Sequence, residues 1–196
     1  HHSNHFLMVD TLVIKVIQTM AISKYNYFVQ KLDQKLSEQD YKVWRQTHVS
    51  PERELALFAT RIRWSLVRVP VHICVDYVSE PTKEDFVRLF EDGISYSKRA
   101  YSAGPLQWVS SFAMVPVIAC DMAYQDLIDY VEERHLLWKH HLKNWSHGFH
   151  YYPVLVNLSA NEVHYWTGYT YTGSAIWPFS RQVIKEAILP SAGKRI

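Results

Sequence analysis

Three short apolar runs in this chain resemble one another. They are Val69-Pro70-Val71-His72-Ile73-Cys74-Val75-Asp76, Val115-Pro116-Val117-Ile118-Ala119-Cys120-Asp121 and Tyr152-Pro153-Val154-Leu155-Val156-Asn157. Each carries Pro-Val near its start, continues through β-branched and other apolar residues, and ends in Asp or Asn. A strand with one wet face alternates apolar and polar residues, whereas an unbroken apolar run belongs to a strand covered on both faces, as in a parallel sheet. Proline fits the first residue of such a strand, where its missing N–H does least harm. Three such strands side by side and pointing the same way would gather Asp76, Asp121 and Asn157 along one rim.

The connections agree with this reading. After the first run, Thr82 is placed to cap a helix whose Phe86, Leu89, Phe90 and Ile94 form one apolar stripe. After the second, Leu127, Ile128 and Val131 do the same within 123–134. Two β-α units in series imply right-handed crossovers and a parallel core. The third run turns back through Ser159-Ala160-Asn161 into Glu162–Trp166, a β-hairpin. A last helix is expected from Pro178 through Val183, Ile184 and Ile188, with Pro190 as its stop.

Upstream of the runs, 11–17 reads as a strand or a short helix. Tyr25, Phe28, Val29, Leu32, Leu36, Val43 and Trp44 predict a helix over 24–44. Ser50-Pro51-Glu52-Arg53-Glu54 has the features of a helix start: a capping serine, proline in the first turn and acids at the positive dipole end. Leu55, Ala59, Ile62, Leu66 and Val69 continue it at three- and four-residue steps, up to the residue before Pro70. The expected fold is therefore α/β: a mixed, mainly parallel sheet with helices on both faces and a C-terminal β-hairpin, preceded by N-terminal helices. Residues 1–47 read as a helical extension that serves dimerisation, and 48–196 as the α/β core domain.

Composition sets the outer bounds. The 196 residues are 48% hydrophobic and 20% charged, which excludes a wholly disordered chain. Lys plus Arg is 21 and Asp plus Glu is 19, too balanced for a dedicated nucleic-acid binder. Cys74 and Cys120 each sit in an apolar run and read as buried free thiols of a reducing cytoplasm; there is no C-x-x-C. The apolar residues Leu12-Val13-Ile14 and Val16-Ile17 are interrupted by Lys15 and Gln18, far short of the roughly 20 residues of a membrane span. No signal peptide is expected, and Met8 and Met20 are both candidates for a natural start.

Four groups of residues bear on chemistry. Asp76, Asp121 and Asn157, at the carboxyl ends of the strands, occupy the edge where open α/β sheets bind ligands, and two carboxylates there suit a divalent metal or an acid–base pair. The plainer reading is that they cap turns. His135, His140, His141, His147 and His150 fall within sixteen residues. Of these, His135, His147 and His150 are the candidate metal ligands, although no H-E-x-x-H is present and the spacing suits a solvated connection better. Lys139, Lys143, Trp138 and Trp145 in the same segment resemble a base-stacking surface, but the acidic Asp126, Asp129, Glu132 and Glu133 just before them oppose one. The aromatic stretch 166–179, with Gly168 and Gly173, reads as an interface or a pocket lid, or else as a packed corner. Arg61, Arg63 and Arg68 read as a solvated face.

No catalytic signature is present. The first expectation is a soluble cytoplasmic interaction module, non-catalytic and homodimeric through an aromatic surface, given 7 tryptophans and 13 tyrosines. The alternative is a small-molecule or metal-dependent enzyme, hydrolase- or nuclease-like, with its carboxylate site at the strand ends.

Overall fold

The three proline-led runs are neighbouring parallel strands. The computed structural model describes residues 3–64, 68–100, 112–133, 149–168 and 176–193. Its elements are α1 (Ser3–Glu38), β1 (Lys42–Ser50), β2 (Arg53–Trp64), β3 (Arg68–Tyr77), α2 (Lys83–Ala100), β4 (Phe112–Cys120), α3 (Gln125–Glu132), β5 (Phe149–Tyr151), β6 (Val154–Asn157), β7 (Glu162–Tyr165) and a C-terminal helix. That helix is α4 (Ile176–Val183), a π turn (Ile184–Ile188) and α5 (Leu189–Ser191). One seven-stranded sheet runs β1-β2-β3-β4-β6-β7, with β5 also on β4. β3 pairs β4 and β4 pairs β6, both parallel.

The prolines sit differently from expectation. β3 starts before Pro70, and its ladder with β4 begins only at Val71. Pro116 lies inside β4, between the stretch paired to β5 and the stretch paired to β6. The register is the same on both sides of this break, Met114 opposite Tyr151 and Val117 opposite Val154. Pro116 and Pro153 therefore stand opposite each other. Proline brings no N–H to a ladder, so the pairing lapses where the two meet.

Two expectations are corrected. The sheet is mixed but not mainly parallel: β1–β2, β2–β3 and β6–β7 are antiparallel, and β2–β3 is the longest ladder. The cause is the stretch expected to be a helix over 50–69. Ser50 pairs with Arg53 across a tight turn, and Arg53–Trp64 form the long strand β2. The same residues that begin a helix well, Ser-Pro-Glu, also make a turn. Pro190 does not stop the last helix either. The turn before it widens to the π form, with the Leu189 N–H donating to the Ile184 carbonyl, and the helix runs on to Ser191.

Two apolar clusters are divided by the sheet. Leu57, Ala59, Val71, Ile73, Val75, Val115, Val117, Val154 and Val156 pack with Phe28, Leu32 and Leu36 of α1 and with Trp177, Val183, Ile184 and Ile188 at the C terminus. Phe58, Cys74, Met114, Ile118 and Leu155 pack with Phe86, Leu89, Phe90 and Ile94 of α2 and with Leu127 and Val131 of α3. Each fully buried Leu or Phe is worth roughly 1.5–3 kcal/mol. β2 changes sides near Gln46 (φ 46°), where β1 departs from extended geometry. Leu57 belongs to the α1 cluster and Leu55 to the α2 cluster. Residue 47, the expected end of the extension, lies within β1 and pairs with Leu55. Among the described residues no helix is long and apolar enough to cross a membrane.

Candidate functional site at the strand ends

Alternation along β3 puts His72, Cys74 and Asp76 on the α2 side and Ile73, Val75 and Tyr77 on the α1 side. At the carboxyl end of β3, Asp76 meets Arg53, the first residue of β2. The Arg53 Nε is 3.7 Å from Asp76 Oδ2 and 3.4 Å from Asp92 Oδ2 on α2. The Asp76 Oδ1 also accepts the Tyr77 backbone N–H at 2.8 Å. All three charged side chains are more than two-thirds buried. The Arg53 Nη1 is buried and has no hydrogen-bond partner. Arg53 and Asp92 line a groove of about 660 Å³ together with Ser50, Pro51, Glu52, Arg88 and Glu91. This groove lies between the β1–β2 turn and α2.

Burial pushes the Asp76 carboxyl above its ordinary value, against the opposing pull of the Tyr77 N–H and Arg53. A group whose folded pKa is raised stabilises the fold at low pH, and that contribution disappears as pH rises through the folded value. The charged form is thus the costly one. Asp76→Asn is expected to give a higher Tm than the native chain near neutral pH and an unchanged Tm below about pH 3. A thermal melt at both pH values checks this, and a lower Tm at neutral pH would show that the Arg53 pairing outweighs desolvation.

Asp121 is engaged elsewhere. It follows β4, where its N–H donates to the Ser79 carbonyl at 3.2 Å. Its carboxylate accepts a short hydrogen bond from the Tyr77 hydroxyl. The Tyr77 ring packs on Tyr25 of α1, with centroids 5.0 Å apart. Burial, then Asp121, pushes the Tyr77 hydroxyl up to about 12, so it stays a proton donor. Asp76 lies opposite Ile118 in the parallel ladder, three residues before Asp121. An odd offset puts the two carboxylates toward opposite faces. They share a rim but not a partner.

Asn157 closes the β6–β7 turn. Its Oδ1 accepts the N–H groups of Ser159 at 3.2 Å and Ala160 at 3.0 Å, an Asx turn. His150 lies in β5, opposite Ala113, with its ring stacked at 6.3 Å from Tyr152. His135 and His147 lie outside the described residues, as do Trp138, Lys139, Lys143 and Trp145. Among the described residues no three His, Cys, Asp or Glu side chains gather to hold a metal.

The aromatic stretch turns inward where it is described. Trp177 is 3% exposed and packs against Trp166 and Tyr152, each at 4.8 Å between centroids. Arg61 and Arg63 stand on β2 rather than on a helix: Arg61 donates to the Gln39 carbonyl, and Arg63 donates to Gln182 Oε1 at 3.1 Å.

Arg53, Asp92 and Tyr77 were not among the residues that sequence reasoning singled out. Arg53 is hidden by the helix-like start it belongs to, and Asp92 by its place on an amphipathic helix. Tyr77 directly follows Asp76 and is the one that an alternation argument reaches. No protein-family model, no curated protein and no solved structure matches this chain.

Proposed function

We propose that this chain is a non-catalytic interaction module that acts as a homo-oligomer. The observation that carries the reading is on α1: Met20, Ile22 and Tyr27 are 59%, 54% and 57% exposed. They are three of the five large hydrophobic residues exposed among the described residues, the others being Met122 and Tyr124. Apolar surface concentrated on one element marks an interaction site more often than scattered surface does. In this reading residues 1–47 serve assembly and 48–196 form the working domain, with helices on both faces of its sheet. The two buried thiols, Cys74 and Cys120, fit a reducing compartment such as the cytoplasm. Size-exclusion chromatography with light scattering is expected to give at least twice the chain mass at micromolar concentration. A monomer would sink the reading.

A second reading rests on the groove beside Arg53. Its unpaired Nη1 and the flanking carboxylates favour a small polar molecule, bound or hydrolysed at the strand ends, with Asp76 behind the groove. A divalent metal shared by Asp76, Asp121 and Asn157 is the less favoured form, because the three side chains have different partners. Magnesium or manganese at millimolar concentration would raise the Tm if that form held.

A further inference from the structure

The groove between the β1–β2 turn and α2 is built from charged side chains on both walls. The turn supplies Glu52 and Arg53, and α2 supplies Arg88, Glu91 and Asp92. Arg53 and Asp92 engage each other, with the Arg53 Nε 3.4 Å from Asp92 Oδ2. The Arg53 side chain is only 18% exposed, yet among the described residues its guanidinium makes ion pairs and no hydrogen bond. Its Nη1 is buried without a partner. A buried charged donor that lacks an acceptor is costly, and a ligand that brings one removes the cost. Glu52, Arg88 and Glu91 are exposed and have no ion-pair or hydrogen-bond partner among the described residues.

These groups select a class of ligand. A guanidinium presents a planar fork of N–H donors that matches a carboxylate, so Arg53 and Arg88 call for an anionic end. The lining holds two arginines against three carboxylates, and a dianion such as phosphate would therefore meet a net like charge. Glu52 and Glu91 are placed to accept an ammonium instead. A molecule with one carboxylate and one ammonium satisfies both signs and leaves the net charge of the groove unchanged. The volume of about 660 Å³ falls in the range of sites for drug-sized ligands, which suits a chain of a few residues better than a single amino acid.

We infer that this groove binds a short zwitterionic peptide, its carboxylate on Arg53 and Arg88 and its ammonium on Glu52 and Glu91. This rests on the second reading above and names its ligand class. NMR titration of the full chain tests it with four probes. Triglycine carries both charges, N-acetyltriglycine keeps the carboxylate, triglycine amide keeps the ammonium, and inorganic phosphate is the dianion. Triglycine is expected to bind about tenfold more tightly than any of the other three, with the largest shifts at 50–53 and 88–92. Arg88→Ala and Glu91→Gln are each expected to weaken triglycine by about tenfold while leaving the spectrum of the rest of the fold unchanged, because both side chains are exposed. Triglycine binding that neither variant weakens overturns the assignment of the site. A probe with a single kind of charge that binds as tightly as triglycine overturns the zwitterion class but leaves the second reading standing. A groove silent toward all four probes overturns both.

Discussion

Acidification from about pH 7 to pH 4.5 is expected to cost this fold several kcal/mol through one side chain, His72. It lies in the middle of β3, 1% exposed, between Thr60 of β2 and Met114 of β4, with its ring stacked 5.8 Å from Phe58. Burial pulls the imidazole from 6.5 down to about 3. The unfolded chain takes up a proton below about pH 6.5, whereas the native chain does not until about pH 3. Above pH 6.5 the group is neutral in both states and contributes no pH dependence. Stability is therefore lost progressively as pH falls between these values, because protonation favours the unfolded chain. Each unit of pKa difference corresponds to about 1.4 kcal/mol, so the loss is on the order of 3 kcal/mol at pH 4.5 and reaches about 4–5 kcal/mol only near pH 3, a large share of a typical domain's stability. His72→Leu, similar in volume and unable to charge, should flatten the dependence. Urea titrations at pH 7 and 4.5 decide the matter: if the variant loses as much stability on acidification as the native chain, the other titrating groups are responsible.

The second large effect concerns Gly93, in the middle of α2. A β-carbon there would lie 2.6 Å from the Cys74 Sγ and 3.2 Å from the Met114 Sδ and Cε. Glycine in a helix interior ordinarily costs about 1 kcal/mol relative to alanine. Here it lets α2 approach β3 and β4 closely. Gly93→Ala should thus destabilise by about 1–3 kcal/mol despite the better helix propensity. Met114 is flexible and can yield, but Cys74 is short, fully buried and fixed on a central strand. Removing its sulfur in Cys74→Ala/Gly93→Ala should return part of the loss, giving a coupling of about 0.5–3 kcal/mol in a double-mutant cycle. Strict additivity of the two changes would mean that the helix simply shifts outward.

Legibility in the sequence followed burial. β3, β4 and β6 could be read because residues with apolar neighbours above and below must themselves be apolar, whichever way they point. α2 could be read because Thr82 and Asp85 cap it, the Thr82 N–H and hydroxyl both donating to Asp85 Oδ2 at 2.9 Å. β2 could not. Leu55, Leu57, Phe58 and Ala59 serve both faces, so its pattern mixes steps of one, two and three and imitates a helix as well as a strand. Nothing local distinguishes the Ser50–Arg53 turn from a helix cap, since both use the same residues.

The site divides the same way. That polar residues end the three runs is written in the chain, and the runs do lie side by side. Which face each one addresses depends on the stagger between neighbouring strands, and a shift of one residue would exchange the faces. Composition and local pattern determined what is inside, where chains turn and which residues reach the rim. Only the assembled sheet decided that Asp76 meets Arg53 and Asp92 while Asp121 meets Tyr77. Pairings between residues dozens of positions apart arise from strand register and helix placement, which no short window of sequence contains.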